Sequence, residues 1–153
     1  MNKFTHIDDS GNVKQVDVSS KPILKREAQA YGFIHLSKET LRRIRSNTIA
    51  KGNVLATARI AGIQAAKKTA DLIPLCHSLL IEHIQIDFKM EAAGIGVISL
   101  VSTTAKTGVE MEALTSVNVA LLTIYDMCKA VDKTMSFNQI RLLKKTKEAL
   151  CQP

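Results

Sequence analysis

One carboxylate and two ammonium groups, Asp126, Lys129 and Lys133, stand at i, i+3 and i+7 in the stretch KTGVEMEALTSVNVALLTIYDMCKAVDK, Lys106 to Lys133. At roughly 100° per residue they fall on one side of a helix. That spacing suits an ordinary surface ion pair, and it suits equally a half-buried reactive cluster. Spacing alone favours the surface pair. Thr115, Val119 and Leu122 share the side, so it is not simply a wet face, and both readings stay open. A second group lies in DLIPLCHSLL, where His77 follows Cys76 between apolar residues. With no second ligand residue beside it, a satisfied core histidine is the plainer reading of His77. Cys76 lacks a paired base in sequence, which makes it a small apolar wall and not a nucleophile. Glu112, near the start of the long stretch, suits the positive end of a helix dipole.

These groups need a frame to hold them. From about Val109 onward, Leu114, Val117, Leu121, Ile124, Cys128 and Val131 recur at steps of three and four. That predicts one long helix with a broad apolar stripe on a core. Val119 and Leu122 give its other side apolar character as well, and a second copy of the chain is the economical cover for them. Ile84, Ile86, Phe88 and Met90 alternate with Gln85, Asp87 and Lys89, which predicts a strand with one buried face. Glu91-Ala92-Ala93-Gly94 supplies a turn, and the β-branched run Ile95 to Thr104 returns as the partner strand.

Ahead of the hairpin, Tyr31 to Leu36 predicts a short strand, and Ser37 offers an N-cap to a helix carrying Leu41 and Ile44 that stops near Asn47. Val54 to Thr69 predicts a helix whose small residues allow close packing. Cys76 and His77 fall on the connection that Pro74 bends. Met135 to Leu143 predicts a last strand. Residues 1–30 read as an extended arm holding the mixed cluster Asp17, Lys21, Lys25, Arg26 and Glu27, and residues 144–153 read as a loose basic tail. The order describes a single domain over 1–153, an α+β ferredoxin-like sandwich: a mostly antiparallel four-stranded sheet with helices packed on one face.

Composition bounds the partners. At 153 residues and 46% hydrophobic content the chain can bury one sizeable core. A formal charge of +7 favours a phosphorylated or polyanionic partner without choosing among them. The three cysteines, Cys76, Cys128 and Cys151, form no CxxC and are odd in number, so reduced thiols are expected and neither a disulfide framework nor a zinc site is. No run has the apolar length of a membrane span or the pattern of a signal peptide, which predicts a cytoplasmic protein with no membrane partner.

The segments VLATARIAGIQAAKKTADLIPLCHSLL and AKTGVEMEALTSVNVALLTIYDMCKAVDK, with the leader THIDDSGNVKQVDVSSKP, resemble the molybdenum cofactor biosynthesis protein C family, the cyclic pyranopterin monophosphate synthases. The likeness spans nearly the whole chain in long blocks. It implies a lyase that rearranges a cyclised dihydroguanosine triphosphate, made from GTP, to cyclic pyranopterin monophosphate with release of diphosphate. It implies no tightly bound cofactor, with Mg²⁺ admissible alongside the triphosphate. It also implies a homo-oligomer, a hexamer built as a trimer of dimers, with the active site at a subunit boundary.

Such a reaction needs fixed cations around the phosphates and groups that move protons. The resemblance assigns the catalytic aspartate to Asp126 in Tyr125-Asp126-Met127-Cys128-Lys129, which reverses the preference that spacing gave. Lys129, one turn on, would hold Asp126 ionised. Lys51, before the second helix, and Arg26 and Lys21 in the arm are the further candidates for phosphate, whereas Lys67 and Lys68 are expected to face solvent. His77 joins the catalytic set, and Leu75-Cys76-His77 with Met111-Glu112 match the substrate-binding segments.

The chain departs from the family in two places. Lys145-Thr146-Lys147-Glu148-Ala149-Leu150 stands where many members end in Lys-Ser-Gly-Gly-Lys-Ser-Gly, and Ala105 stands where Gly is common. Two other classes stay beside the enzyme. A non-catalytic relative kept for assembly or regulation is one. An RNA-binding module on the same scaffold is the other, opposed by 4% aromatic content and the absence of an RNP-type aromatic strand, so no nucleic-acid partner is expected.

Overall fold

The computed structural model describes residues 6–8 and 10–150; Cys151 lies outside them. In chain order it holds β1 (Leu24–His35), α1 (Lys38–Arg45), α2 (Val54–Lys67), α3 (Thr69–Leu72), β2 (His83–Glu91), β3 (Gly94–Ala105), α4 (Glu110–Cys128) and β4 (Ser136–Glu148). The four strands form one sheet in the order β2-β3-β1-β4, with every neighbouring pair antiparallel. This is the expected α+β ferredoxin-like sandwich.

Alternation along the strands decides which face the helices take. Ala28, Ala30 and Ile34 of β1, Ile95, Val97 and Val101 of β3, and Ile86 of β2 are all buried, and they meet Val117, Ala120, Leu121 and Ile124 of α4 in one core. Two glycines set how closely the layers approach. A Cβ on Gly32 would come within 2.7 Å of both Leu121 and Val117, and one on Gly62 within 2.5 Å of Ile86 and 2.9 Å of the Ser116 carbonyl oxygen. α4 therefore lies against β1, and α2 against α4, at spacings that no larger residue permits. Ser99 of β3 donates to the Ala113 carbonyl at 2.7 Å and fixes the register of α4 on the sheet.

Local signals hold at the helix starts. Ser37 caps α1 by accepting from the Thr40 amide at 3.2 Å, and Asn53 caps α2 by accepting from the Ala56 amide at 2.9 Å. α4 begins at Val109 without a side-chain cap.

Three boundaries differ from the sequence expectation. The arm is shorter, because residues 24–30 belong to β1. The tail is not loose where it begins, because residues 144–148 continue β4. These two differences are one: the first half of β1 pairs with the last part of β4, Lys25 with Glu148, Arg26 with Lys147 and Ala28 with Lys145. Backbone pairing to a central strand orders both where side-chain hydrophobicity gave no signal. The long helix ends at Cys128, so Val131 falls outside the stripe and is 47% exposed. No helix among the described residues is long and apolar enough to cross a membrane.

Candidate functional site

The chemistry-bearing residues gather at the two ends of α4. At its C-terminal end the Lys51 ammonium donates to the Asp126 carboxylate at 2.7 Å and to the Asp126 carbonyl oxygen at 2.8 Å. Lys129 meets the other carboxylate oxygen at 2.7 Å. The loop between α1 and α2 delivers Lys51, so two distant segments make the cluster. Lys133 does not join it; its ammonium donates to the Lys129 carbonyl oxygen at 2.6 Å and caps the helix end.

Hydrogen bonds from Lys129 and then Lys51 pull the Asp126 carboxyl down to about 2, and the same bond pushes the Lys129 ammonium up. All three side chains are about half exposed. The result is an ionised carboxylate between two fixed cations, open to an incoming ligand. Such a group can accept a proton while its lysines neutralise phosphate charge.

At the N-terminal end lies a cavity of about 430 Å³ lined by Leu75, Cys76, His77, Met111 and Glu112. Glu112 is 4% exposed. Burial pushes its carboxyl above the usual carboxylate range, and the nearby Glu110 charge adds to that. Burial, followed by the Glu112 charge, also raises the Cys76 thiol, which stays protonated, as the apolar-wall reading requires. Cys128, in the core, is pushed up to about 11 mainly by burial.

His77 faces the arm: its Nε2 is 2.8 Å from the Val16 carbonyl oxygen. A carbonyl only accepts, so Nε2–H donates. Gln15 donates to the Cys76 carbonyl at 2.9 Å, and Lys106 donates to the Ser19 carbonyl at 2.6 Å, so residues 15–19 strap the body beside this cavity.

A second cavity, of about 280 Å³, adjoins the first through Gly108 and Glu110 and is lined by Arg26, Lys145 and Lys147. Arg26 is held by the Ala105 and Lys106 carbonyls at 3.4 and 3.2 Å, and its register partner is Lys147. Like charges directly opposite one another are unfavourable in a sheet. Lys145 pairs with Glu110 at 3.0 Å.

The sequence candidates thus form two groups. Lys51, Asp126 and Lys129 come together; so do Leu75, Cys76, His77, Met111 and Glu112, with Arg26 next door. Lys21 is exposed before β1 and lines neither cavity. Lys67 and Lys68 are exposed, as expected. The two groups do not meet: Glu112 and Asp126 are fourteen residues apart on one helix, about 21 Å at ~1.5 Å per residue. Lys145, Lys147 and Glu110 escaped sequence reasoning. The period-2 spacing of Lys145 and Lys147 is the available signal, hidden because the apolar run stops at Leu143. Among the described residues no group of His, Cys, Asp and Glu could hold a metal ion.

The MoaC family matches residues 15–148. Over 148 residues the chain is 51% identical to the cyclic pyranopterin monophosphate synthase of Roseiflexus castenholzii (strain DSM 13941 / HLO8), covering 95% of this chain and 94% of that protein. It is 53% identical, over 95% of this chain and 93% of the relative, to the protein of that name from Heliobacterium modesticaldum (strain ATCC 51547 / Ice1).

Proposed function

The chain belongs to the MoaC family, and from that premise we propose that it catalyses the cyclic pyranopterin monophosphate synthase reaction of molybdenum cofactor biosynthesis. A cyclised dihydroguanosine triphosphate is rearranged, an oxygen of the nucleotide bonds to its own α-phosphorus, and the bond to diphosphate breaks. The observation that carries this reading is the convergence of Lys51 and Lys129 on Asp126 from separate elements.

Asp126 serves as the proton-transfer group, since it stays ionised at neutral pH. Lys51 and Lys129 stabilise charge on the phosphates. The cavity of Leu75, Cys76, His77, Met111 and Glu112 takes the guanine-derived ring, with Glu112, whose carboxyl burial raises, facing the ring's polar edge. Arg26, Lys145 and Lys147 next door take the diphosphate end. No redox step occurs, so no resident cofactor is required; any Mg²⁺ enters with the triphosphate.

A site that uses both ends of α4 needs two copies of the chain, because about 21 Å separates them within one. A two-fold arrangement that sets the Glu112 end of one copy against the Asp126 end of its partner does so twice, giving two identical composite sites. Leu122, 55% exposed, supplies apolar surface for such a contact. A hexamer of three such dimers, in the cytoplasm where GTP is available, completes the reading. The test is incubation of the pure protein with the cyclised nucleotide. Diphosphate and the cyclic monophosphate should appear together, and a protein that releases neither overturns the reading.

A further inference from the structure

Two acids are buried among the described residues, and the reaction as proposed leaves one of them, Asp132, without a part. Asp132 is 4% exposed and lies in the turn after α4, where its amide and that of Val131 both donate to the Cys128 carbonyl. One carboxylate oxygen accepts from the Ser37 amide at 2.8 Å. The other accepts from the Thr134 amide at 3.0 Å and the Thr134 hydroxyl at 2.8 Å. The Thr40 hydroxyl lies 2.9 Å from the Ser37 hydroxyl in the first turn of α1.

An ionised carboxylate only accepts, so the Ser37 amide and the Thr134 amide and hydroxyl are the donors. Burial alone would raise this carboxyl, and the bonds from Ser37 and Thr134 outweigh it and hold the group well below the usual carboxylate range. Both oxygens accept from inside the protein and the group is buried, so Asp132 is not placed to meet a substrate.

What the bonds connect is the informative part. Ser37 and Thr40 are the N-cap and first turn of α1, and the chain leaving the far end of α1 is the loop that carries Lys51. On the other side, Asp132 is bonded to the last turn of α4, three residues beyond Lys129. Lys51 and Asp126 are 75 residues apart in sequence and meet only if these two segments keep a fixed separation. We propose that Asp132 is a positioning residue, a clamp from the start of α1 to the end of α4 that lets Lys51 meet Asp126 and Lys129 in one geometry. Its effect on turnover rests on the synthase reading; its effect on the cluster does not.

Asp132→Asn tests this, because the amide nitrogen must face a donor and breaks the clamp while keeping the shape. Two readouts are taken at a temperature where circular dichroism shows the variant folded. kcat should fall roughly 10- to 100-fold with KM changed less than about twofold, as expected when reacting groups shift by about an ångström. In the absence of substrate, acetylation of Lys51, read by mass spectrometry against Lys38 on the surface of α1, should accelerate toward its rate in Asp126→Asn. A folded Asp132→Asn with wild-type kcat overturns the proposal, and so does a loss of kcat with Lys51 labelling unchanged, which would make Asp132 a stability residue only. If Asp132→Asn does not fold, Thr134→Val removes a single bond to the carboxylate: faster Lys51 labelling supports the clamp and unchanged labelling overturns it. Should the wild type release no diphosphate, the synthase reading fails while the labelling still decides the clamp.

Discussion

At one end of α4 the Glu112 carboxyl is buried beside Cys76 and its proton is held more tightly than in water. At the other, Asp126 stands half exposed between two ammonium groups and gives its proton up by about pH 2. The two are on the same helix and, fourteen residues apart at about 100° each, within ~40° of the same side. Burial along that side declines from Glu112 and Ser116 through Val119 and Thr123 to Asp126. One helix therefore presents a carboxyl that burial biases toward holding its proton and another that its cations keep ionised, and only the surroundings differ. Desolvation decides the first and charge pairing the second.

The sharpest way to break this contrast is to remove the charge of Asp126. Asp126→Asn should lower turnover roughly 10² to 10⁴-fold, while melting within about 2 °C of the wild type because exposed ion pairs contribute little to stability. Near-normal diphosphate release would remove Asp126 from the chemistry. Next come the cations. Lys51→Ala and Lys129→Ala should each reduce kcat roughly 10²-fold, the scale of losing one fixed donor to developing charge, again with little change in melting. A fall in melting temperature with turnover intact would make the cluster structural.

A complementation experiment then asks whether the two ends act together across chains. Asp126→Asn and Glu112→Ala, each inactive alone, should recover about a quarter of wild-type activity when co-expressed, since half of randomly paired dimers are mixed and each holds one intact site. Mixed protein as inactive as its parents would show that each site belongs to one chain.

The smallest effect concerns the stability of the buried end. The folded-state carboxyl of Glu112 lies above its unfolded value of 4.5. The stability it contributes is therefore fully present below about pH 4.5 and is lost as pH rises through the raised value. Glu112→Gln cannot ionise and keeps that stability. Its melting temperature should exceed that of the wild type by on the order of a few degrees at pH 8, and the difference should shrink toward pH 4. A constant offset across that range would show that Glu112 ionises as freely in the folded protein as outside it.

The elements that carry chemistry were legible to different degrees, for physical reasons. The apolar stripe of α4 and the hairpin of β2 and β3 repeat at the helix and strand periods, and both stand where periodicity puts them. The opening part of β1, LKREAQA, was not legible, because Ala28 and Ala30 are buried in the core without looking hydrophobic in a run of charges. Missing it also hid the end of β4, and with it Lys145 and Lys147. At the candidate site, the i, i+3 pair of Asp126 and Lys129 was readable from spacing, and Lys133 at i+7 was a false third member. Lys51 takes that place from 75 residues away, where no local pattern reaches. Asp132 gave no signal at all, since a buried acid held by two backbone amides and a hydroxyl looks in sequence like any turn aspartate.

β4 is the outer strand of the sheet beyond β1, thirteen residues long, with Leu142 and Thr146 alone half-buried. Its far edge offers backbone groups that another extended chain could join, and Phe137, Ile140 and Leu143 add exposed apolar area to that edge. Arg141, Lys144, Lys145 and Lys147 are interleaved with them, and repulsion between like-charged edges discourages aggregates from growing there. The cations beside the Arg26 cavity thus guard colloidal stability as well, and neutral replacements at Lys145 and Lys147 should make the purified protein more prone to precipitate in high salt, where the remaining charge is screened.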